Sequence, residues 1–408
     1  MKHSSPLLIL TEDSPESFSP AGERVRYMAL SASSSFDKVY VLALGRSKKF
    51  HAQKGDSKVL LYEVNWWRGL PYPISAFFDP VKALLLFVFG LSLSLRVEFR
   101  YVLVSMPPVE VGLVGWLLAK LSGKNLVVDL RDDWESSMEA NVTRYIPMKM
   151  IKPLFKLARQ IYSSSTNIFA ATQTIADTLR TREINTSIRY VPNGADTMIF
   201  FPQNKYVRVK TRRKYRLPLE KIAIVYCGSG INPYYRLEEV LKSIRALPKS
   251  VKEKVFFLFY VYNGMNRLKT LKEDLEVPNY LAEIHGPMPR RNLAEVLAAC
   301  DVGLVPFDDK PYLLCARSTK LYEYLSCGTC VICSGPPYGE LDVLLSSHPY
   351  LGLFTQPTIE GYVKALSQIV KNQESFLSDD MKNLRHQFIK DNFDRRKIML
   401  KAMQALLD

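Results

Sequence analysis

The residue types best spaced for chemistry are Ser318, Thr319, Lys320 and Glu323, within the run DVGLVPFDDKPYLLCARSTKLYEYLSCGTCVICSG at 301–335. Ser318 predicts a helix N-cap, and Leu321, Tyr324 and Leu325 recur at helical spacing on one face. The first amides of such a helix, from Ser318 to Leu321, lack intrahelical acceptors and carry partial positive charge, which suits a phosphate. Lys320 adds a full charge. Glu323 stands just over one turn beyond Ser318, where its carboxylate could accept hydrogen bonds from a ribose diol. An anion site at a helix tip with a carboxylate on the next turn suits a nucleotide diphosphate. An ordinary crossover helix with a surface Lys and Glu fits the same residues.

Positioning these groups needs a strand before and after the helix. Val302-Gly303-Leu304-Val305 is apolar and stopped by Pro306, which cannot donate to a sheet. Gly328 predicts a left-handed helix end, and Thr329 to Cys333 reads as the next buried strand. Strand, helix, strand over this length is a right-handed crossover in a parallel sheet. Loop 307–317 then lies at the carboxyl end of a strand, where open α/β sheets bind ligands.

The same grammar extends along the chain. In the second half, Ile222 to Tyr226 is a strand, Gly228, Ser229 and Gly230 form a turn after it, and Arg236 opens helix 237–246. Further strands are expected at 256–261 and 281–285, and a helix at 291–299. In the first half, Pro6 to Leu10 is a strand and Glu23 to Leu30 a helix. Gly22 between them lets backbone approach a phosphate or sugar. Strands follow at 39–44, 59–64, 102–105 and 125–130, the last running into Arg131-Asp132-Asp133-Trp134-Glu135, with two more at 168–171 and 188–191. Helix 109–122 separates two of them. Short apolar strands alternating with helices predict an α/β protein with doubly wound parallel sheets.

At 408 residues, two domains are expected. Composition shifts at KYVRVKTRRKYRLP, 205–218, which reads as a solvated linker, so the boundary is drawn between 203 and 204. Domains of 1–203 and 204–378 follow, and helices around 358–372 and 379–407 finish the chain.

Hydrophobic content of 47% describes a globular protein, and a net charge of +15 calls for an anionic partner: a phosphate-bearing substrate, an anionic membrane, or nucleic acid. Basic residues spread over linker and helices without a recognised motif argue against nucleic acid. The six cysteines lie between Cys227 and Cys333. Cys327, Cys330 and Cys333 form a C-x-x-C-x-x-C run, yet Cys330 and Cys333 straddle a strand and point to opposite faces, and no His cluster completes a metal site. Buried small hydrophobes in a reducing cytosol is the reading. The first apolar run, before Glu12, is too short for a signal peptide. Val81 to Leu95 is below the length of a membrane span, and predicts a buried or interfacial helix. In 149–162, Lys152, Lys156 and Arg159 share one helical face, and Leu154, Phe155, Ala158 and Ile161 another, with Pro153 in the first turn. A surface helix packed on the sheet and a helix touching anionic lipid both fit.

Several motifs stand in fixed order: SMPP at 105–108, VVDLRDDW at 127–134, VPNGADTMIFFP at 191–202, YCGSG at 226–230, AACDVGLVPF at 298–307 and STKLYEYLSCGTCVICSG at 318–335. Together they resemble a GT-B glycosyltransferase of family 4, in its bacterial and archaeal polysaccharide or lipid-linked glycan branch. The resemblance is weakest over residues 45–100.

It implies two Rossmann-like domains facing across a cleft, with acceptor on the N-terminal domain, nucleotide sugar on the C-terminal one, and the last helix, 379–408, crossing back. Members transfer a hexose or derivative with retention, usually without a bound metal. The implied donor is a UDP- or GDP-sugar and no cofactor is tightly held. Glu323 resembles the ribose-binding carboxylate, and Ser318, Thr319, Lys320 and Leu321 the helix tip at the diphosphate. Gly228, Ser229, Gly230 and Arg236 fall where the family places phosphate contacts, and Gly22 resembles one of the usual glycine pair. Two departures stand out. Cys315 occupies the place of a Glu that touches the donor sugar, and Arg131 replaces the His that often precedes the Asp at 132.

In the implied mechanism, fixed positive charge from the helix tip, Lys320 and Arg236 eases departure of the nucleotide diphosphate. Arg131 and Asp132 orient sugar and acceptor; Asp132 as a base is the inverting alternative. A sugar-nucleotide epimerase of the same fold and a catalytically impaired homologue remain alternatives, whereas a GT-A enzyme would need an Asp-x-Asp. Net charge, helix 149–162 and segment 81–95 together suggest peripheral attachment to the cytoplasmic face of the cell membrane, matching a glycan or polyprenyl-linked acceptor.

Overall fold

The computed structural model describes residues 5–17, 19–45, 58–65, 80–142 and 146–407. The chain divides into two compact units. Residues 1–192 and 396–408 form the first, and 193–395 the second.

The first unit is built on seven parallel strands: β1 (Leu7–Asp13), β2 (Val39–Gly45), β3 (Val59–Asn65), β4 (Tyr101–Met106), β5 (Asn125–Leu130), β6 (Asn167–Ala170) and β7 (Ser187–Tyr190). Their order across the sheet is β3-β2-β1-β4-β5-β6-β7. The central strands are continuous apolar runs because helices cover both faces, which leaves no wet side to demand alternation. Val25 and Met28 of helix Pro20–Ala32 pack over Ile9, Val41 and Leu103, and Met399 and Met403 of the C-terminal segment complete that core. Tyr101 donates its hydroxyl to the carbonyl of Leu406. The last residues are therefore structural members of the first unit.

Six parallel strands make the sheet of the second unit: β8 (Ile222–Gly228), β9 (Val255–Val261), β10 (Ala282–His285), β11 (Val302–Pro306), β12 (Cys330–Ser334) and β13 (Gly352–Thr355), in the order β10-β9-β8-β11-β12-β13. The chain runs outward from β8 to β10 and then returns to lay β11 beside β8. That reversal is the topological switch point, and the crevice outside the carboxyl ends of β8 and β11 is the expected ligand position.

The structure departs from expectation in four places. Residues 205–214 are helix rather than linker: Asn204 caps Val207 N at 2.9 Å, and buried Arg212 is anchored by Asp301 and by the carbonyls of Pro218, Leu219, Lys221 and Ala299. The composition reads as solvated because Lys205, Lys210, Arg213 and Lys214 are exposed, while Arg208 joins Arg212 on Asp301. The units separate at 192/193 rather than 203/204. The expected helix 379–407 is two, Asp379–Asn392 and Arg395–Gln404, broken where Asp394 pairs with Ala195 and Arg395 N donates to Ala195 O at 2.9 Å. Helix Met148–Ser164 starts early enough to place Pro153 in its interior.

Candidate functional site

Helix Thr319–Ser326 follows β11 and its loop, so its first turn lies at the carboxyl edge of the second unit's sheet. Ser318 holds the N-cap position with extended backbone, although its hydroxyl makes no capping bond. Leu321 N reaches Ser318 O at 3.2 Å. Leu321 and Tyr324 are buried as their spacing predicts.

Lys320 is buried too, with 7% of its surface exposed, and its ammonium has no hydrogen-bond acceptor among the described residues. Nζ lies 3.8 Å from the ring centroid of Tyr235 and 4.4 Å from that of Tyr226. Tyr235 is held by stacking on Phe307, 4.9 Å between centroids, and Tyr226 by donating its hydroxyl to Ser229 O at 2.8 Å. Gly228 closes the cage. A Cβ there would fall 2.8 Å from Lys320 Nζ, and its φ of +155° disfavours other residues. Burial pushes the Lys320 ammonium down to about 7, and the neighbouring Cys227 thiol up to about 12. Two ring faces offset part of the desolvation, at about 2 kcal/mol for a dry cation–π contact. A desolvated ammonium of this kind is strongly favoured by an arriving anion.

The turn after β8 is pinned from one side chain. Asn263 Oδ1 accepts from Gly230 N at 2.8 Å and Ile231 N at 3.2 Å, with Ser229 Oγ 2.8 Å away. A Cβ on Gly230 would meet Asn263 O at 2.4 Å, so this glycine is needed by the chain's own backbone. Arg236 stands at the N-cap position of helix Leu237–Ala246 without a side-chain capping bond, and Asp308 at 2.9 Å and Glu239 at 3.3 Å already balance its charge. Among the described residues, Lys320 Nζ has no hydrogen-bond acceptor.

Glu323 lies one turn beyond Lys320, and its Oε1 accepts from Arg290 Nη2 at 2.7 Å, with Arg395 Nη2 at 3.7 Å. Cys315 Sγ sits 3.8 Å from Tyr312 O, and Arg317 and Glu340 join the flanking loops at 2.6 Å. Burial raises the Cys327, Cys330 and Cys333 thiols above their usual range. Among the described residues no group of three His, Cys, Asp or Glu side chains is arranged to hold a metal.

The first unit holds the other expected residues. Gly22 carries no open approach: Ser14 O and Ser17 Oγ occupy the space, each 2.3 Å from where a Cβ would stand. Close contact with the preceding loop is what requires the glycine. Arg131 directs its guanidinium to the carbonyls of Met106 and Pro107, bracing the turn after β4. Asp132 presents surface to solvent, yet desolvation raises its carboxyl above the ordinary value, opposed by Arg131 and Arg24. Beneath it, buried Arg24 binds Asp129 at 2.6 Å and Val191 O at 2.8 Å, tying helix Pro20–Ala32 to β5.

Sequence reasoning placed Lys320 and Glu323 correctly on one helix but missed Tyr226, Tyr235, Asn263 and Arg290. Asn263-Gly264 at the end of β9, with Gly264 at φ +65°, was the readable signal for Asn263. The aromatic cage had none, because its members come from three separate segments.

Residues 207–394 match the family model "Glycosyl transferases group 1", just under half of the chain. No curated protein matches the sequence. Among solved structures, sucrose-phosphate synthase from Thermosynechococcus elongatus is similar at a TM-score of 0.81 and 14% identity, covering 98% of each chain. HepE of Anabaena in complex with UDP-glucose gives 0.68 at 11% identity, over 98% of this chain and 99% of that one. WaaG, a glycosyltransferase involved in lipopolysaccharide biosynthesis, gives 0.68 at 12%, with the same coverage. The fold is GT-B, two Rossmann-like α/β units, and with residues 207–394 similar to the group 1 model the chain is a glycosyltransferase.

Proposed function

We propose that the protein is a retaining, family 4 hexosyltransferase that uses a UDP- or GDP-sugar and acts on a glycan or lipid-linked acceptor. The observation that carries this reading is the buried ammonium of Lys320, without an acceptor among the described residues, beside the first turn of helix Thr319–Ser326. A diphosphate there meets amide dipoles and a full charge together. UDP and UDP-glucose in structures of HepE, which shares the fold, support a nucleotide-sugar donor.

In the reaction, the bond from the anomeric carbon to the β-phosphate oxygen breaks as a bond to the acceptor oxygen forms. The acceptor proton passes to the leaving phosphate on the same face. Lys320 and the helix amides stabilise the negative charge that grows on the diphosphate, which is where positive charge lowers the barrier. Arg236 tunes the turn through Asp308 rather than adding free charge. Glu323 accepts from the ribose. Asp132, with Arg131 bracing its turn, orients the acceptor in the first unit.

Attachment to an anionic membrane face belongs to the same reading. Lys149, Lys152 and Lys156 are exposed on helix Met148–Ser164 while Ile151, Ala158 and Ile161 are buried. Val81, Leu84 and Val88 are exposed on helix Pro80–Ser94. No helix among the described residues is long and apolar enough to cross a membrane. Product analysis with UDP- and GDP-hexoses and a polyprenyl-linked acceptor tests the reading. Acceptor-dependent release of nucleotide diphosphate supports it, and sugar interconversion without acceptor would replace it with an epimerase.

A further inference from the structure

Glu323 is held unsymmetrically. Arg290 Nη2 donates to Oε1 at 2.7 Å, and Arg395 Nη2 lies 3.7 Å from the same oxygen. Both guanidiniums are themselves fixed. Arg290 opens helix Arg290–Ala299 and lies 5.0 Å over the ring of buried Phe200. Arg395 donates to Asn193 O at 3.0 Å and Gly194 O at 2.8 Å. Glu323 Oε2 accepts no hydrogen bond among the described residues and, unlike the carboxylate oxygens of Glu135, is not sealed from solvent.

From this asymmetry we propose that Arg290 is a positioning residue for Glu323, and that through it the site distinguishes ribonucleotides from deoxyribonucleotides. The inference rests on the assignment of Glu323 to the ribose diol. A glutamate alone loses appreciable rotamer freedom when it orders on a ligand. Clamping one oxygen with a charge-assisted bond fixes the plane of the carboxylate and the direction of the other oxygen in advance. That oxygen can then take a sugar hydroxyl with little further ordering. A ligand lacking the hydroxyl leaves a charged acceptor unmatched, which is where polar sites discriminate most strongly. Sequence alone hides the pair, since Arg290 and Glu323 are 33 positions apart on different helices.

Calorimetric titration of the full chain with UDP and 2′-deoxy-UDP, and with GDP and 2′-deoxy-GDP, tests this. The wild type is expected to prefer the ribonucleotide by about tenfold or more. Arg290→Gln should bring ribonucleotide affinity down toward the deoxy value while deoxy affinity moves little, and Arg290→Lys should restore part of the preference. Both variants should melt within a few degrees of the wild type. An undiminished preference in Arg290→Gln overturns the positioning role and leaves the ribose assignment intact. An equal loss for both ligands marks Arg290 as merely structural and also overturns it. Absence of any preference in the wild type overturns the ribose assignment and the inference together.

Discussion

Lys320 Nζ sits 3.8 Å from the centre of the Tyr235 ring, on a loop that the helix bearing Lys320 reaches only through the fold. Among the described residues no carboxylate or carbonyl accepts a hydrogen bond from this ammonium, and in the proposed function the diphosphate takes that place.

The first prediction concerns pH. The folded value of Lys320, about 7, lies below its ordinary value of 10.5. Between those values the unfolded chain holds a proton that the folded chain has released, so this group makes stability rise with pH across that window. The slope approaches about 1.4 kcal/mol per pH unit and vanishes below 7, where both states are protonated. Melts of the ligand-free protein from pH 6.5 to 9.5 should show this slope, and Lys320→Met should flatten it. An identical slope in the variant refutes the assignment.

Ligand binding inverts the preference. A diphosphate beside Nζ favours the charged form, so binding at pH 8 should take up protons. Calorimetry in buffers of differing ionisation enthalpy measures the uptake directly. Lys320→Met should abolish it, and wild-type affinity should fall as pH rises above 7.

The turn after β8 offers a third test. Asn263→Ala removes the acceptor shared by Gly230 N and Ile231 N, and Gly228→Ala drives a Cβ to 2.8 Å from Lys320 Nζ. Asn263→Ala should cost about 1–3 kcal/mol of stability. Gly228→Ala should weaken nucleotide binding at least tenfold. Unaltered binding in Gly228→Ala would separate the turn from the ligand.

Much of this was legible in the sequence, for a physical reason. Parallel strands covered on both faces must be apolar runs, and crossover helices must carry an apolar stripe, so the α/β order shows in hydrophobic periodicity. Lys320 and Glu323 were legible because their spacing falls on one helix. What stayed hidden were relationships across the sheet. Tyr226 reads as one more strand residue, Tyr235 as a loop aromatic, and nothing local says that both rings face one ammonium. The helix at Lys205–Lys214 was hidden by its own composition. A basic run looks solvated until Asp301, some ninety positions later, folds back to bind Arg212.

The first unit yields a fourth prediction. Asp129→Asn removes the carboxylate that binds the buried guanidinium of Arg24, which should cost about 3–5 kcal/mol. Chemical denaturation should show a lower midpoint for the transition of that unit. A change below about 1 kcal/mol would mean that water compensates the pair.

Membrane attachment makes a fifth. Flotation with vesicles containing anionic lipid should carry the protein upward at low salt and release it at high salt. Replacing Lys149, Lys152 and Lys156 by Gln should reduce binding several-fold without changing nucleotide affinity. Equal flotation with neutral vesicles would contradict the electrostatic reading.

The most direct measurement is the affinity of wild type and Lys320→Met for nucleotide diphosphates against the matching monophosphates and nucleosides, at pH 6.5. The account predicts that one diphosphate, UDP or GDP, binds at least tenfold more tightly than its monophosphate, and that Lys320→Met erases most of that advantage while barely changing the nucleoside. A diphosphate that binds the variant as tightly as the wild type would contradict it.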